Sequence, residues 1–198
     1  MKIDNINSLV ELYFKKYDEI KDKKNLPFLF GLSSKNENFS LSWNEVTSKI
    51  RCLTTFLQDY ISPGDRCILL SENRPQWLIA DIAIMNSGGV TVPLFTTYSN
   101  SDYEYIINDC EPKVCIVSNK LQYEKIEKFL NKNIKIISID EINQCARYES
   151  ILQKCIRRTH ELELWVLHSI LGSCSGALGG PQIEIWAWCS KFSGTDTH

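Results

Sequence analysis

Few side chains in this sequence combine a reactive type with a setting suited to chemistry. Asp81 stands inside an apolar run, WLIADIAIM, where a carboxylate can serve as acid or base. The plainer expectation for it is a charge at a helix's exposed edge, or one salt-bridged at a helix junction. Ser87-Gly88-Gly89 has the composition of a phosphate loop. A phosphate cradle, however, follows a strand and opens a helix. This triplet closes the apolar run instead, and reads as a helix stop. The sequence holds neither G-x-x-x-x-G-K-S/T nor G-x-G-x-x-G after a strand, and no G-x-S-x-G nucleophile elbow. His160, His168 and His198 form no H-x-x-x-H or H-E-x-x-H pattern, and no Ser/His/Asp set can be assembled. The eight cysteines include no C-x-x-C, and Cys110 and Cys115 are the closest pair. Paired zinc ligands are therefore not expected. The cysteines read as small buried hydrophobes and reduced thiols.

The elements that would hold these residues follow from periodicity. Ile6, Leu9, Val10, Tyr13, Phe14, Tyr17 and Ile20 lie at helical spacing over 6–22, with a turn at Asn25-Leu26-Pro27. Phe28 to Leu32 and Phe39 to Leu41 predict a hairpin. Ser42 with Glu45 makes a capping box. The helix it opens carries Val46, Ile50, Leu53, Leu57 and Tyr60 on one stripe, and SPGD (62–65) breaks it. RCILL (66–70) predicts a strand buried on both faces, as in a parallel sheet. A helix over 76–87 follows, ended by Gly88-Gly89, then the strand VTVPL (90–94). Ser101 with Glu104 predicts a second capping box for a helix through Cys110. KVCIV (113–117) predicts a strand, 122–131 a helix and IKIISI (134–139) a strand. From 43 to 139 the order is α-β-α-β-α-β-α-β. Strands joined by helical crossovers run parallel, so the expected fold class is layered α/β/α with a mainly parallel sheet.

Composition narrows the function classes. The 198 residues are 43% hydrophobic, with net charge −2 and pI about 6.0. That leaves no electrostatic footprint for nucleic acid; the run KDKK (21–24) reads as a solvated helix end. The N-terminus has recurring charges and lacks the apolar centre of a secretory signal. With no disulfide-permissive context, the expected location is cytoplasmic. Near residue 150 the composition shifts. All three histidines, and Trp165, Trp186 and Trp188, lie beyond it, and no Lys or Asn occurs between 155 and 190. Leu164 to Ile183 has no formal charge, but His168, three serines, four glycines, Pro181 and Gln182 make it too polar and broken for a membrane span. We expect two regions, 1–148 and an atypical tail, 149–198. A shifted reading frame near codon 150 would give this pattern; translating the other two frames tests it.

The block from Gly64 to Asn119, GDRCILLSENRPQWLIADIAIMNSGGVTVPLFTTYSNSDYEYIINDCEPKVCIVSN, resembles the N-terminal region of the adenylate-forming (AMP-binding) superfamily. It is most similar to the long-chain acyl-CoA synthetases. The SENRPQW, ADIAIM, VTVPLF, YIINDC and KVCIVS segments match that family's pieces in order and spacing. LSWNEV (41–46) resembles the segment before its first long helix. The resemblance runs from about 5 to about 145. It implies an incomplete N-terminal part of the ligase's large domain. It also implies a two-step reaction: a fatty acid attacks the α-phosphate of ATP, with Mg²⁺, giving an acyl-adenylate, and coenzyme A then displaces AMP.

The family's phosphate loop is Ser/Thr/Gly-rich and ends in a lysine, because charge builds on the transferring phosphoryl group. SCSGALGGPQ (173–182) lies at about the right distance. Ser175, Gly176, Gly179 and Pro181 match. Ala177 and Leu178 stand at the two threonine positions and Gln182 at the lysine position, removing two hydroxyls and a charge. Ser175, Gly176 and Gly179 are thus candidates from a degenerate phosphate loop; no catalytic or metal-binding residue is assigned. The resemblance implies fatty acid, ATP, Mg²⁺ and coenzyme A for the family, and allows peripheral membrane contact. The chain alone is expected to need no cofactor and to be inactive. The alternative is a small non-catalytic α/β interaction module using Trp77, Phe95, Tyr98, Tyr103 and Tyr105.

Overall fold

A computed structural model of the chain describes residues 6–32, 37–142 and 145–155. These lie within the first of two units into which the chain divides, Met1–Arg157. Helix α1 (Leu9–Glu19) starts later than periodicity suggests, because Ser8 caps it: its hydroxyl accepts from the Glu11 amide at 3.1 Å. Tyr13 is its buried residue, and the Tyr13 hydroxyl pairs with that of Thr47 at 2.8 Å. Strands β1 (Pro27–Leu32) and β2 (Asn38–Ser42) form the expected antiparallel hairpin, with Leu29 opposite Leu41 and Phe30 opposite Ser40.

Helix α2 (Trp43–Leu57) opens on the Ser42/Glu45 capping box. It ends before Tyr60, which leaves the core stripe and is 40% exposed, against Phe56 and under the Lys135 ammonium. There follow β3 (Arg66–Leu70), α3 (Pro75–Asn86), β4 (Val90–Leu94), α4 (Asn100–Cys110), β5 (Val114–Val117), α5 (Lys120–Ile126), β6 (Lys135–Ser138) and a short β7 (Ala146–Arg147). Residues 148–155 are helical. The expected helix over 122–131 is instead α5 plus one 3₁₀ turn, because the Asn119 side chain caps α5 through the Gln122 amide at 3.1 Å.

The five strands pair in parallel in the order β4-β3-β5-β6-β7. Successive side chains of a strand point to opposite faces, and the core divides accordingly. Cys67, Leu69, Val114 and Ile116 pack with Val46, Ile50 and Leu53 of α2 and Ile79 and Ala83 of α3. Ile68, Leu70, Cys115 and Val117 pack with Tyr103 and Ile107 of α4 and Tyr123 and Ile126 of α5. The result is the layered α/β/α arrangement that the sequence predicts. Tyr148, Ile151 and Leu152 join the first of these cores.

Two local details matter. α3 ends in a Schellman turn. The Gly89 amide donates to Ile84 O at 3.0 Å and the Gly88 amide to Met85 O at 3.1 Å, with Gly88 at φ +87°. The capping box of α4 is Ser99 with Asp102, not Ser101 with Glu104. The segment SNSDYE offers both registers. The earlier one adds two helical residues, and Ser101 then sits in the first turn with its hydroxyl 2.8 Å from that of Ser99.

Candidate functional site at the carboxyl edge of the sheet

The strand order fixes where a site belongs. From β3 the chain moves to β4 on one side and then across to β5 on the other, so the loops after β3 and β5 diverge. Open α/β sheets bind ligands outside the carboxyl ends of their strands at such a switch point. Here the two loops carry Ser71, Glu72, Asn73 and Arg74 after β3, and Ser118 and Asn119 after β5.

Glu72 bridges the gap. Its Oε1 accepts from Asn119 Nδ2 at 3.1 Å and from Gln122 Nε2 at 2.8 Å. Partial burial opposes its charge. The nearby Ser118 hydroxyl, which stays outside hydrogen-bond geometry, the backbone and the two bonded amides outweigh that, holding the carboxyl below its usual range. Beside it, Arg74 reaches the loop after β6, where Nη1 and Nη2 bind the Asp140 carboxylate at 3.2 and 3.0 Å. Its Nε donates to Gln76 Oε1 at 3.2 Å. Glu72 and Arg74 are thus engaged by Asn119, Gln122 and Asp140, while the buried Ser118 hydroxyl beside them has no hydrogen-bond partner among the described residues. A phosphate needs free amide or cationic donors. The switch point instead presents the Glu72 carboxylate, with the Asn119 and Gln122 amides and the Arg74 guanidinium engaged in other bonds, and like charge at Glu72 opposes a phosphate there.

Two depressions flank this point. A crevice of about 330 Å³ runs between the ends of β3 and β4, lined by Ser71, Glu72, Trp77, Leu94 and Phe95 among others. A groove of about 720 Å³ lies between the hairpin and the start of α3, lined by Phe30, Leu32, Arg74, Trp77 and Leu78 among others. Trp77 and Asn73 belong to both.

Of the residues singled out from sequence, Trp77 and Phe95 meet in the crevice and the other described ones do not line it. Ser175, Gly176 and Gly179, with Ala177, Leu178, Pro181 and Gln182, lie outside the described residues. Asp81 is half-buried midway along α3 and lines neither depression. Of the five aromatics, Tyr103 is buried and its hydroxyl donates to Phe95 O at 2.8 Å. Tyr98 stacks edge-on between Phe95 and Tyr103. Phe95 and Tyr105 are exposed. Burial pushes the Cys52 and Cys67 thiols up to about 12, with the Cys155 thiol also raising Cys52 and Asp65 also raising Cys67. Burial raises Cys115 as well. All three are held neutral and are poor nucleophiles. Among the described residues no group of three or more His, Cys, Asp or Glu side chains could hold a metal ion.

The Glu72–Asn119–Gln122 cluster is not visible in local sequence, since Glu72 and Gln122 are 50 positions apart. Its only sequence signal is that SEN and SN both follow apolar strands. Linking them requires knowing that β3 and β5 are neighbours.

An α/β/α layer with a 2-1-3-4-5 type strand order and a polar carboxyl edge is the class that fold and site define. A family model described as "AMP-binding enzyme" matches residues 18–161. The chain belongs to the AMP-binding enzyme family, and its relatives include long-chain fatty-acid CoA ligases. It is 36% identical over 87 residues to fatty acyl-CoA synthetase A of Dictyostelium discoideum, covering 43% of this chain and 13% of that protein. It is 30% identical over 165 residues to the probable CoA ligase CCL6 of Humulus lupulus, covering 81% of this chain and 23% of that one. Among solved structures, the luciferase-like enzyme of the mealworm Zophobas morio shares the fold. It has a TM-score of 0.63 at 19% identity, covering 77% of this chain and 35% of that one. The chain thus spans less than a quarter of the length of either of these curated relatives.

Proposed function

We propose that this chain is the N-terminal α/β scaffold of a long-chain acyl-CoA synthetase, the part that shapes and supports the ligase rather than the part that performs the reaction. The whole ligase would activate a fatty acid with ATP and Mg²⁺ to an acyl-adenylate, and then transfer the acyl group to coenzyme A. The observation that carries this reading is the carboxyl edge. Among the described residues, the matched segment ends its strands in Glu72–Asn119–Gln122 and Arg74–Asp140 contacts, which place a carboxylate at the switch point and tie up its guanidinium. Glu72 sets a negative charge where a nucleotide phosphate would have to sit, and no chemical step is routed through the described residues. We assign the chain alone no ligase activity. Ser175, Gly176 and Gly179 remain the phosphate-loop candidates on resemblance, with the hydroxyls and the lysine lacking.

We keep the division at 148/149 on the change of sequence character alone; Ile151 and Leu152, just beyond it, are buried in the core. We place the protein in the cytoplasm. Among the described residues no helix is long and apolar enough to cross a membrane, which is consistent with that placement.

Two measurements test the reading. Pyrophosphate release from this chain with palmitate, ATP and Mg²⁺ should not rise above the blank. A chimera in which the 87 residues of this chain that match the Dictyostelium synthetase replace their counterpart in it should keep acyl-CoA formation within about tenfold of the parent. A folded but inactive chimera would overturn the assignment.

A further inference from the structure

In the helix over 148–155, Tyr148, Ile151, Leu152 and Cys155 recur at three- and four-residue steps, so they share one face. That face meets the first core: Tyr148, Ile151 and Leu152 are buried in it, and Cys155 packs against it. Cys52, on α2, belongs to the same core and is only 5% exposed. The two thiols meet there, with the Cys155 sulfur within hydrogen-bond reach of Cys52. Cys52 is closed to solvent, whereas Cys155 is half-buried. Both lie inside the segment 18–161 that matches the family. Two helices distant in the chain thus place sulfur against sulfur, one buried and one within reach of solvent.

We propose that Cys52 and Cys155 are a reversible redox site, a dithiol that a low-molecular-weight disulfide such as glutathione disulfide oxidises to a bond tying the helix over 148–155 to α2. The proposal does not rest on the functional reading above. The exchange runs in two steps. The more accessible Cys155 loses its proton to solvent and attacks one glutathione sulfur; the glutathione S–S bond breaks, and the departing thiolate takes up a proton. Cys52 then loses its proton to solvent and attacks the Cys155 sulfur, and the second glutathione leaves as a thiolate and is protonated. Two protein thiols lose two electrons, and one disulfide gains them to become two thiols. The surroundings suit this order. Burial is the chief cause that holds the Cys52 thiol neutral and the Cys155 sulfur adds to it, while the Ser48 hydroxyl and the Lys49 ammonium act the other way. Once glutathione caps Cys155, that sulfur carries no charge to oppose a Cys52 thiolate, and burial alone stands against Ser48 and Lys49. Contact between the sulfurs also makes the second step intramolecular. In a reducing compartment such a pair rests as the dithiol, and the bond it forms is transient and redox-sensing rather than structural.

The test exposes the folded 198-residue chain to excess glutathione disulfide, blocks the remaining thiols with iodoacetamide and maps the tryptic peptides by mass spectrometry. We expect peptide 52–66 joined to peptide 155–157, and their separation by dithiothreitol. The bond closes a loop of about 100 residues, so oxidation should raise Tm by at least about 5 °C in the wild type and not in Cys155→Ser. Cys52→Ala should stop at Cys155 carrying one glutathione. Mapping of the wild type decides the matter even where a variant fails to fold. The proposal is overturned if Cys52 and Cys155 both stay open to alkylation after oxidation and unfolding, or if Cys155 is found joined to Cys174 or Cys189 instead. It is also overturned by a Cys52–Cys155 link that forms only in denaturant, or by a change in Tm that Cys155→Ser shares.

Discussion

Glu72 and Gln122 lie 50 residues apart in the chain and 2.8 Å apart across the carboxyl edge of the sheet. The bond ties the loop after β3 to the first turn of α5, and Asn119 adds a second donor to the same carboxylate oxygen. Two strands that neighbour each other only because the chain skips over β3 are thereby clamped at the switch point. The clamp occupies the place where other open α/β sheets receive a ligand.

This geometry has a pH signature. The Glu72 carboxyl is held below its ordinary value of 4.5, with burial opposing that shift and hydrogen bonds outweighing it. A depressed carboxyl adds stability fully above its unfolded value and loses it as pH falls through the folded one. Glu72→Gln should therefore be less stable than wild type by a constant margin, about 0.5 kcal/mol for so exposed a group, at neutral pH. The margin should shrink below about pH 4.5, where both proteins carry a neutral side chain. Urea melts between pH 3.5 and 7 read this directly; a margin that widens on acidification contradicts it.

The start of α2 offers a cleaner stability test. The Ser42 hydroxyl accepts from the Glu45 amide, and the Glu45 carboxylate accepts from the Ser42 amide at 2.7 Å. Ser42→Ala removes one half of the box and should cost about 1 kcal/mol. That corresponds to a fall in Tm of about 2–4 °C for a domain of this size, measured by circular dichroism. Ser101→Ala, by contrast, should change Tm by less than about 1 °C, because the cap of α4 is Ser99.

The turn between α3 and β4 should tolerate little. Gly88 sits at φ +87°, a region that costs side-chain-bearing residues about 1–2 kcal/mol. A Cβ on Gly89 would stand 2.9 Å from Ile61 Cδ1 and 3.1 Å from Ile84 Cγ2. Gly88→Ala and Gly89→Ala should each lower the urea midpoint, whereas Gly64→Ala meets no atom within 4 Å and should show the backbone cost alone.

Thiol labelling reports the core. Cys67 and Cys115 are fully buried on opposite faces of the sheet. Burial first, with Asp65 for Cys67 and neighbouring thiols for Cys115, keeps both protonated at neutral pH. Native protein treated with iodoacetamide at pH 8 should leave Cys67 and Cys115 unmodified by mass spectrometry, and 6 M guanidinium should expose them. Labelling in the native state at the rate of a free thiol would mean that the sheet opens.

The sequence carried the layer because its strands are short apolar runs punctuated by turn residues. RCILL, VTVPL, KVCIV and IKIISI all became parallel strands in the expected chain order. Boundaries slipped where two local signals competed, as in the overlapping registers of SNSDYE, or where a capping side chain set the start, inside the periodic stretch at Ser8 and ahead of it at Asn119. The candidate site was not legible. Glu72, Asn119 and Gln122 are ordinary loop and helix residues until strand order brings them together, and periodicity says nothing of strand order. The apolar lining of the two depressions was partly legible, since Trp77 and Phe95 are among the aromatics the sequence offers for an interaction surface, but its hairpin side was hidden. Phe30 and Leu32 fit an apolar strand whether that strand is covered or not, and only the hairpin register shows which of its residues turn outward.

Tyr148 offers the last test, and it bears on where the packed chain extends. Its ring is fully buried in the first core, beside Ile151 and Leu152, yet its hydroxyl has no hydrogen-bond partner among the described residues. Burial, first, and then the nearby Glu149 and Cys52 push the phenol's pKa far up, so it stays neutral. A buried hydroxyl without a partner carries its desolvation cost uncompensated. Tyr148→Phe keeps the ring and removes that cost, so it should be neutral or stabilising by up to about 1 kcal/mol. Tyr148→Ala removes the ring and should cost about 3–5 kcal/mol through the cavity it leaves. Paired urea melts of the two variants decide the matter. Loss of stability in Tyr148→Phe would show that the hydroxyl is bonded in solution, and a mild Tyr148→Ala would show that residues near 148 lie outside the cooperative core.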